Sequence, residues 1–293
     1  MRFALFPLLL LLALPLAAQR DIDVKMAAIE AEGRLLYRLE RVAWLGTDLF
    51  RQNHPEKFEA EFGGYVALAD GEDTKMVFFN RAEIPQAIAT YTYGPDLTDE
   101  TVKEEVRTRR ATDEENRLLS LRVKAINHAR QDTLFKVYEN SNLNFVPLVY
   151  AGTPKVYVLS GPSVHHVVLF GNDYRVDFTA DDEVTGATKL HNNIIPMHWD
   201  EDAEPGQVTM HSHNETTGEL PTVTDVCTLL LYGRYTPWKQ HIILGPEHRT
   251  FYTLERESFL VMTEKAMKKI RKHQQKMERK RAKKAAKEAA NRG

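Results

Sequence analysis

The chain has 293 residues, of which 43% are hydrophobic and 27% are charged, and its formal net charge is −2. This composition is ordinary for a globular protein and allows a sizeable core. The single cysteine, Cys227, excludes an intramolecular disulfide, and its apolar surroundings predict a small buried core residue. The charge is uneven, because residues 264–293 carry thirteen Lys or Arg and three Glu, a net +10, which leaves −12 for residues 1–263.

Residues 1–19 have the pattern of a secretory signal peptide. Arg2 precedes an apolar run from Phe3 to Leu16, and the small residues Ala17 and Ala18 follow. A membrane-spanning helix needs about 20 apolar residues, and this run is shorter. We therefore expect cleavage near Ala18, an exported protein that is periplasmic or secreted, and no transmembrane span in the mature chain. An uncleaved N-terminal anchor is the alternative.

The next region, residues 20–131, is predicted to combine helices with strands. The predicted elements are a helix over residues 22–45, strands at Tyr65–Leu68 and Thr74–Asn80, and a helix from about Asp113 to Gln131. The turn signal between the two strands is Asp70-Gly71-Glu72-Asp73. Thr112 and Glu115 have the spacing of a capping box at the start of the second helix.

Residues 132–262 are rich in Val, Ile, Tyr and Phe and predict a mainly β domain, followed by a basic helical tail over residues 263–293. We predict strands at Asn144–Tyr150, Lys155–Ser160, His166–Phe170, Arg175–Thr179, Thr188–Pro196, Gln207–His213, Gln240–Leu244 and Phe251–Leu254, and a helix at Val223–Tyr232. Gly171-Asn172-Asp173 is predicted to be a hairpin turn. The predicted fold class is α+β, with a mixed, largely antiparallel sheet flanked by helices.

The strongest functional signal lies in residues 207–231. His211 and His213 occupy positions i and i+2 of a predicted strand, so their side chains point to the same side of it. Asp225, in the first turn of the following helix, can supply a third ligand. Three nitrogen or oxygen ligands and one open position are what a catalytic zinc ion needs, so the segment predicts a Zn²⁺ site.

The pattern His211-Ser-His213 followed by Thr222-x-x-Asp225 resembles the motif of the JAMM metalloproteases, the catalytic members of the MPN-domain group, over roughly residues 208–254. The family motif is His-x-His, seven residues, then Ser-x-x-Asp. Here eight residues form the spacer and Thr replaces Ser. The resemblance implies that His211, His213 and Asp225 bind zinc, and that Thr222 helps to hold an oxyanion.

The same resemblance implies a general acid/base Glu on an earlier element. Glu139 follows a predicted helix and precedes a predicted strand, which is where the family places its Glu. Glu183, in an acidic turn, is the rival. His191 and His198 are candidates for a fourth ligand or for substrate contact, and the alternative for each is a hydrogen-bonded structural residue.

Each half of the motif also has an explanation that needs no metal. Thr222 and Asp225 have the spacing of a helix capping box. His211 and His213 can be polar residues on the solvated face of a strand, because they alternate with apolar Val208 and Met210.

The resemblance implies an exported zinc hydrolase of amide or isopeptide bonds, with a peptide or cell-wall substrate. The alternative is a non-catalytic exported envelope or interaction domain, with or without a structural metal. The sequence contains no Gly-x-Ser-x-Gly elbow and no Gly-rich phosphate loop.

The basic tail lacks aromatic residues that stack on bases, so we expect no nucleic acid. The tail either contacts an anionic surface or is a solvated helix.

Overall fold

The computed structural model describes the backbone of residues 6–290 and the side chains of residues 20–283. Residues 1–5 of the predicted signal peptide lie outside the described residues, and helix α1 (Phe6–Asn53) begins directly after them. Among the helices of the described residues, none combines the length and the apolar character of a membrane span. The chain forms two compact units: unit 1 extends to Glu204 and resumes over Pro221–Pro237, and unit 2 comprises Pro205–Leu220 and the chain from Trp238 onward.

Unit 1 is built around a five-stranded antiparallel sheet. After α1 and α2 (Pro55–Glu61) come β1 (Phe62–Asp70), β2 (Asp73–Asn80), β3 (Gln86–Tyr93), β4 (Lys103–Glu105) and β5 (Arg109–Arg110). The strand order is β1-β2-β3-β4, and β5 also pairs with β3. Alternate side chains enter two different cores, since Ala67 and Phe78 belong to the cluster that includes Leu39 of α1, whereas Val66 and Val77 belong to the other cluster.

Helix α3 (Asp113–Gln131) covers the second of these cores. It begins at the predicted capping box, in which the Thr112 hydroxyl accepts from the Glu115 backbone N–H and the Glu115 carboxylate accepts from the Thr112 N–H. Leu118 and Leu121 supply its buried face. The helix has the bounds that its apolar periodicity predicts.

The remaining strands of unit 1 form two further sheets, one of four strands and one of two. They are β6 (Ser141–Tyr150), β7 (Thr153–Pro162), β8 (Val167–Gly171), β9 (Tyr174–Phe178), β10 (Val184–Lys189) and β11 (Ile194–His198). One sheet has the order β10-β9-β7-β6, and β8 pairs with β11 alone. The predicted hairpin at Gly171-Asn172-Asp173 is therefore wrong. The turn exists, with positive φ at Gly171 and Asn172, but it sends β8 and β9 to different sheets.

The last element of unit 1 is α4 (Val223–Tyr232), which has the predicted bounds and packs against α1. The two helices approach closely at Gly33, where an added Cβ would lie 2.5 Å from the Cβ of Val226. Cys227 of α4 is buried and free, as predicted.

Unit 2 is a four-stranded sheet with a helix. Its elements are β12 (Gln207–Ser212), β13 (Trp238–Leu244), β14 (His248–Thr253), β15 (Ser258–Thr263) and α5 (Glu264–Ala290). The strand order is β12-β13-β14-β15, with β12 and β13 parallel and the other pairs antiparallel. At the start of α5, Glu264 forms an ion pair with Arg249 of β14 at 2.7 Å.

The predicted α+β class, with largely antiparallel sheets flanked by helices, is confirmed. Several details of the prediction are wrong. The helix predicted over residues 22–45 is the longer α1 (Phe6–Asn53), and α2 (Pro55–Glu61) was not predicted. The strand predicted at Thr188–Pro196 is two strands, β10 and β11, separated by a segment that contains His191. The prediction also lacked β3, β4, β5 and β15. The predicted domain boundaries at residues 19, 131 and 262 stay predictions.

Candidate metal centre

The two histidines of β12 are buried and the apolar residues that alternate with them are exposed. His211 and His213 are 5% and 6% exposed, whereas Val208 and Met210 are each 53% exposed. The explanation of these histidines as residues of a solvated strand face is therefore wrong. Burying a polar side chain costs free energy unless it is hydrogen-bonded, so the burial of two imidazoles on one strand needs partners.

Each of these imidazoles has a partner at its Nδ1 atom. His213 Nδ1 lies 3.1 Å from the carbonyl oxygen of Leu220, which can only accept, so Nδ1 carries the proton and Nε2 presents a lone pair. His211 Nδ1 lies 2.8 Å from Nε2 of His241, and His241 Nδ1 lies 2.8 Å from the Thr209 hydroxyl. These contacts fix both rings, as outer hydrogen bonds fix histidine ligands in metal sites.

The fixed rings bring two ring nitrogens face to face. Nε2 of His211 lies 3.0 Å from Nε2 of His213. Two facing lone pairs repel, so the arrangement needs either a proton between the two nitrogens or a cation bound to both. The network therefore has two protonation patterns, and one of them is the pattern of a pair of metal ligands.

A second buried arrangement in unit 1 joins a histidine to two carboxylates. His191 Nδ1 lies 2.7 Å from Oδ1 of Asp173, and His191 Nε2 lies 3.3 Å from Oδ1 of Asp225. The Thr224 hydroxyl donates to the other oxygen of Asp173. Burial alone lowers the pKa of His191, but the charges of Asp225 and Asp173 outweigh it and raise the pKa to about 11. Without a metal, the two carboxylates therefore favour the protonated form of His191 at neutral pH.

The two carboxylate oxygens of Asp225 make different contacts. Oδ2 accepts from the Thr222 backbone N–H at 2.8 Å and from the Thr222 hydroxyl at 2.9 Å, while that hydroxyl accepts from the Asp225 N–H. The predicted capping box is therefore confirmed. Oδ1 lies toward His191, so capping leaves one oxygen available as a ligand.

Four buried side chains offer ligand atoms that lie within 4.8 Å of one another: His191, His211, His213 and Asp225. In a tetrahedral zinc site with bonds of roughly 2.0–2.1 Å, the ligand atoms lie about 3.3 Å apart. The two separations of 3.0 Å and 3.3 Å between neighbouring ligand atoms are close to that value. This buried group can hold a metal ion.

The other residues that the sequence singled out are not members of this group. Glu139 is exposed in the turn before β6. Glu183 is an exposed turn residue whose carboxylate contacts Lys124 at 2.6 Å, and His198 is exposed at the end of β11. The Thr222 hydroxyl is engaged in the helix cap. Of the predicted fourth ligands, His191 therefore belongs to the group and His198 does not.

Sequence reasoning missed two supporting residues. Asp173 follows a turn and has no motif of its own, so nothing in the sequence connects it to His191. His241 had a usable signal, because it pairs with Thr209 in the parallel register of β12 and β13 and lies on the same face as His211. Using that signal requires knowing that β12 pairs with β13.

No family model, curated protein or solved structure matches the chain. The resemblance to the JAMM proteases accordingly rests on the motif residues alone.

The protonation state of His191 predicts a pH dependence for metal binding. A metal must displace the proton that the two carboxylates hold on His191, whose pKa of about 11 lies far above neutrality. Binding of zinc should therefore release one proton from His191. This release raises the apparent zinc affinity by up to about tenfold per pH unit between pH 6 and 8. Isothermal calorimetry in buffers of different ionisation enthalpy measures the release. A His191→Gln variant, which has no such proton, should release about one proton fewer, and equal release by both proteins would contradict the assignment.

Proposed function

We propose that the protein binds one zinc ion through His191, His211, His213 and Asp225. The observation that carries the proposal is the convergence of four buried ligand atoms within 4.8 Å. Its support is that each of the three imidazoles has a partner at Nδ1, which directs its Nε2 toward the group.

The donor set favours zinc among the common metals. Three imidazole nitrogens and one carboxylate oxygen are ligand types that zinc binds in four-coordinate sites, whereas calcium and magnesium require mainly oxygen ligands. The single cysteine, Cys227, is not a member of the group.

The same donor set favours a structural role for the ion. Four protein ligands fill a tetrahedral shell, whereas catalytic zinc sites have three protein ligands and one position for water. All four side chains are buried. The bound ion would therefore contribute to folding free energy, because the ligand set exists only in the folded chain.

Zinc content of purified protein tests the proposal. Wild-type protein should contain about one zinc ion per chain and His213→Ala less than about a tenth of that, because three ligands bind far more weakly than four. His165→Ala is the matched control, since His165 is an exposed histidine outside the group. Negligible zinc in all three proteins after zinc reconstitution, or equal zinc in all three, would refute the site.

A zinc hydrolase of the JAMM type, exported and acting on amide or isopeptide bonds of a peptide or cell-wall substrate, is the second candidate. The presence of all three motif residues, His211, His213 and Asp225, in one buried group favours it. In this arrangement His211, His213 and Asp225 would hold the zinc ion, which would lower the pKa of a bound water. His191, oriented by Asp173, would take the place of the motif glutamate, but it could accept the water proton only after releasing the proton that the two carboxylates hold on it.

A His191→Ala variant separates the two candidates. The structural role predicts at least about a tenfold loss of zinc affinity and a lower melting temperature, because the shell loses one of four ligands. It also predicts no amide hydrolysis by wild type on a quenched-fluorescent peptide library. The hydrolase predicts retained zinc in the variant, hydrolysis by wild type, and loss of that hydrolysis in the variant. Those results would support the hydrolase and contradict the structural role.

A further inference from the structure

Helix α5 carries a row of cations along one of its sides. Successive residues of an α-helix are rotated by about 100° around its axis, so residue numbers alone tell which side chains share a side. Lysines and arginines of α5 occupy about a third of the circumference, over a length of about 27 Å. This row, called the basic face below, consists of eight residues: Lys265, Lys268, Lys269, Lys272, Lys276, Arg279, Lys280 and Lys283.

The surroundings of α5 agree with this assignment to one side. The first four cations line one open surface cleft beside Glu247 and His248, and Lys272 and the last four line the next cleft. All eight side chains are exposed. Within the part of the chain that the structure describes, none of the eight takes part in an ion pair. The basic face is therefore accessible along its whole length.

The carboxylates near α5 leave most of this charge uncompensated. Glu264 is engaged by Arg249 at 2.7 Å and by Arg271 at 3.4 Å, and Glu278 lies outside the arc of the basic face. The lining of the second cleft contains no acidic residue among the described side chains. Because residues 264–293 carry +10 and the rest of the chain −12, attraction to an anionic partner is confined to this part of the molecule.

A flat anionic surface fits the basic face better than a nucleic acid does. The row is straight and lies on one side, so a plane can meet all of its cations at once. A helix in the major groove of DNA has phosphates on both of its flanks, whereas the cations of α5 are concentrated on one. Single strands are bound by stacking bases on aromatic side chains, and α5 has no Phe, Tyr or Trp.

The residue types favour a lipid bilayer over an acidic protein. Seven of the eight cations are Lys. Protein–protein interfaces are depleted in Lys and enriched in Arg and aromatic residues, because the planar fork of Arg pairs with carboxylates in a fixed geometry. Anionic lipid headgroups move in the plane of the bilayer and attract basic segments without such a geometry.

We propose that α5 binds the surface of a bilayer that contains anionic lipids, through the basic face and without insertion of the helix. The exposed apolar residues of α5, Ile270 and Met277, lie outside the basic face. This surface is independent of the proposed zinc function, because no residue of α5 belongs to the metal group.

Co-sedimentation of the full chain with lipid vesicles tests the proposal. Binding is measured as the excess on vesicles of phosphatidylcholine mixed with phosphatidylglycerol over vesicles of phosphatidylcholine alone, which report any binding through the apolar residues near the N-terminus. Wild type should bind the anionic vesicles at low ionic strength and be released near 1 M salt, where the Debye length falls to about 3 Å. No excess binding, or excess binding that survives this salt, would overturn the proposal.

Two matched double variants locate the binding surface. Lys272→Gln with Lys276→Gln removes two cations from the basic face, and at about fivefold per lysine the partition coefficient should fall about 25-fold. Arg271→Gln with Arg281→Gln removes the same charge from outside that face, about a helix diameter from the bilayer, and should lower the coefficient by less than about threefold. Glutamine has a helix propensity close to that of Lys and Arg, so α5 should persist. Equal losses in the two variants would contradict the basic face.

Two further measurements distinguish the bilayer from other occupants. A DNA duplex added at an equal concentration of phosphate groups should leave most of the protein on the anionic vesicles, and displacement by the duplex would overturn the lipid assignment. Ile270→Gln with Met277→Gln should keep the partition coefficient within about twofold, because these side chains lie outside the basic face. A loss of vesicle binding in this variant would overturn binding without insertion.

Discussion

The cost of burying ionisable side chains is the constraint on which the candidate metal centre depends. Its histidines and carboxylates are withdrawn from water, so each requires hydrogen bonds or opposite charge in the folded state. The structure meets this requirement with an outer layer of partners, such as Asp173 for His191 and the Leu220 carbonyl for His213. The group that these partners support can hold a metal ion.

Local sequence signals predicted the bounds of α3 and α4 well and the strand pairings less well. The capping boxes at Thr112 and Thr222 fix where α3 and α4 begin, because the cap involves residues only three positions apart. The turn at Gly171 was visible, but the choice of sheet partners for β8 and β9 depends on contacts distant in sequence. The sequence identified His211, His213 and Asp225 as candidates through a local motif. It offered His191 only as one of two possible fourth ligands, because the position of His191 depends on contacts distant in sequence.

Two buried carboxyl groups in this chain illustrate how surroundings decide chemistry. Asp225 shares its oxygens between a helix cap and the His191 imidazole, and it belongs to the group that can hold a metal ion. Glu40 lies among aromatic and amide groups, where burial raises its pKa and favours the acid form. Asp225 can therefore join a metal group, whereas the surroundings of Glu40 favour its uncharged form. Residue type alone does not separate these roles.

X-ray absorption at the zinc edge of the zinc-loaded wild-type protein tests the central claim most directly. The account predicts four light ligands at roughly 2.0–2.1 Å, with the outer-shell scattering of three imidazoles and no sulfur. A spectrum with two or fewer imidazoles, or one with a thiolate ligand at about 2.3 Å, would contradict the assignment of His191, His211, His213 and Asp225 as the zinc ligands.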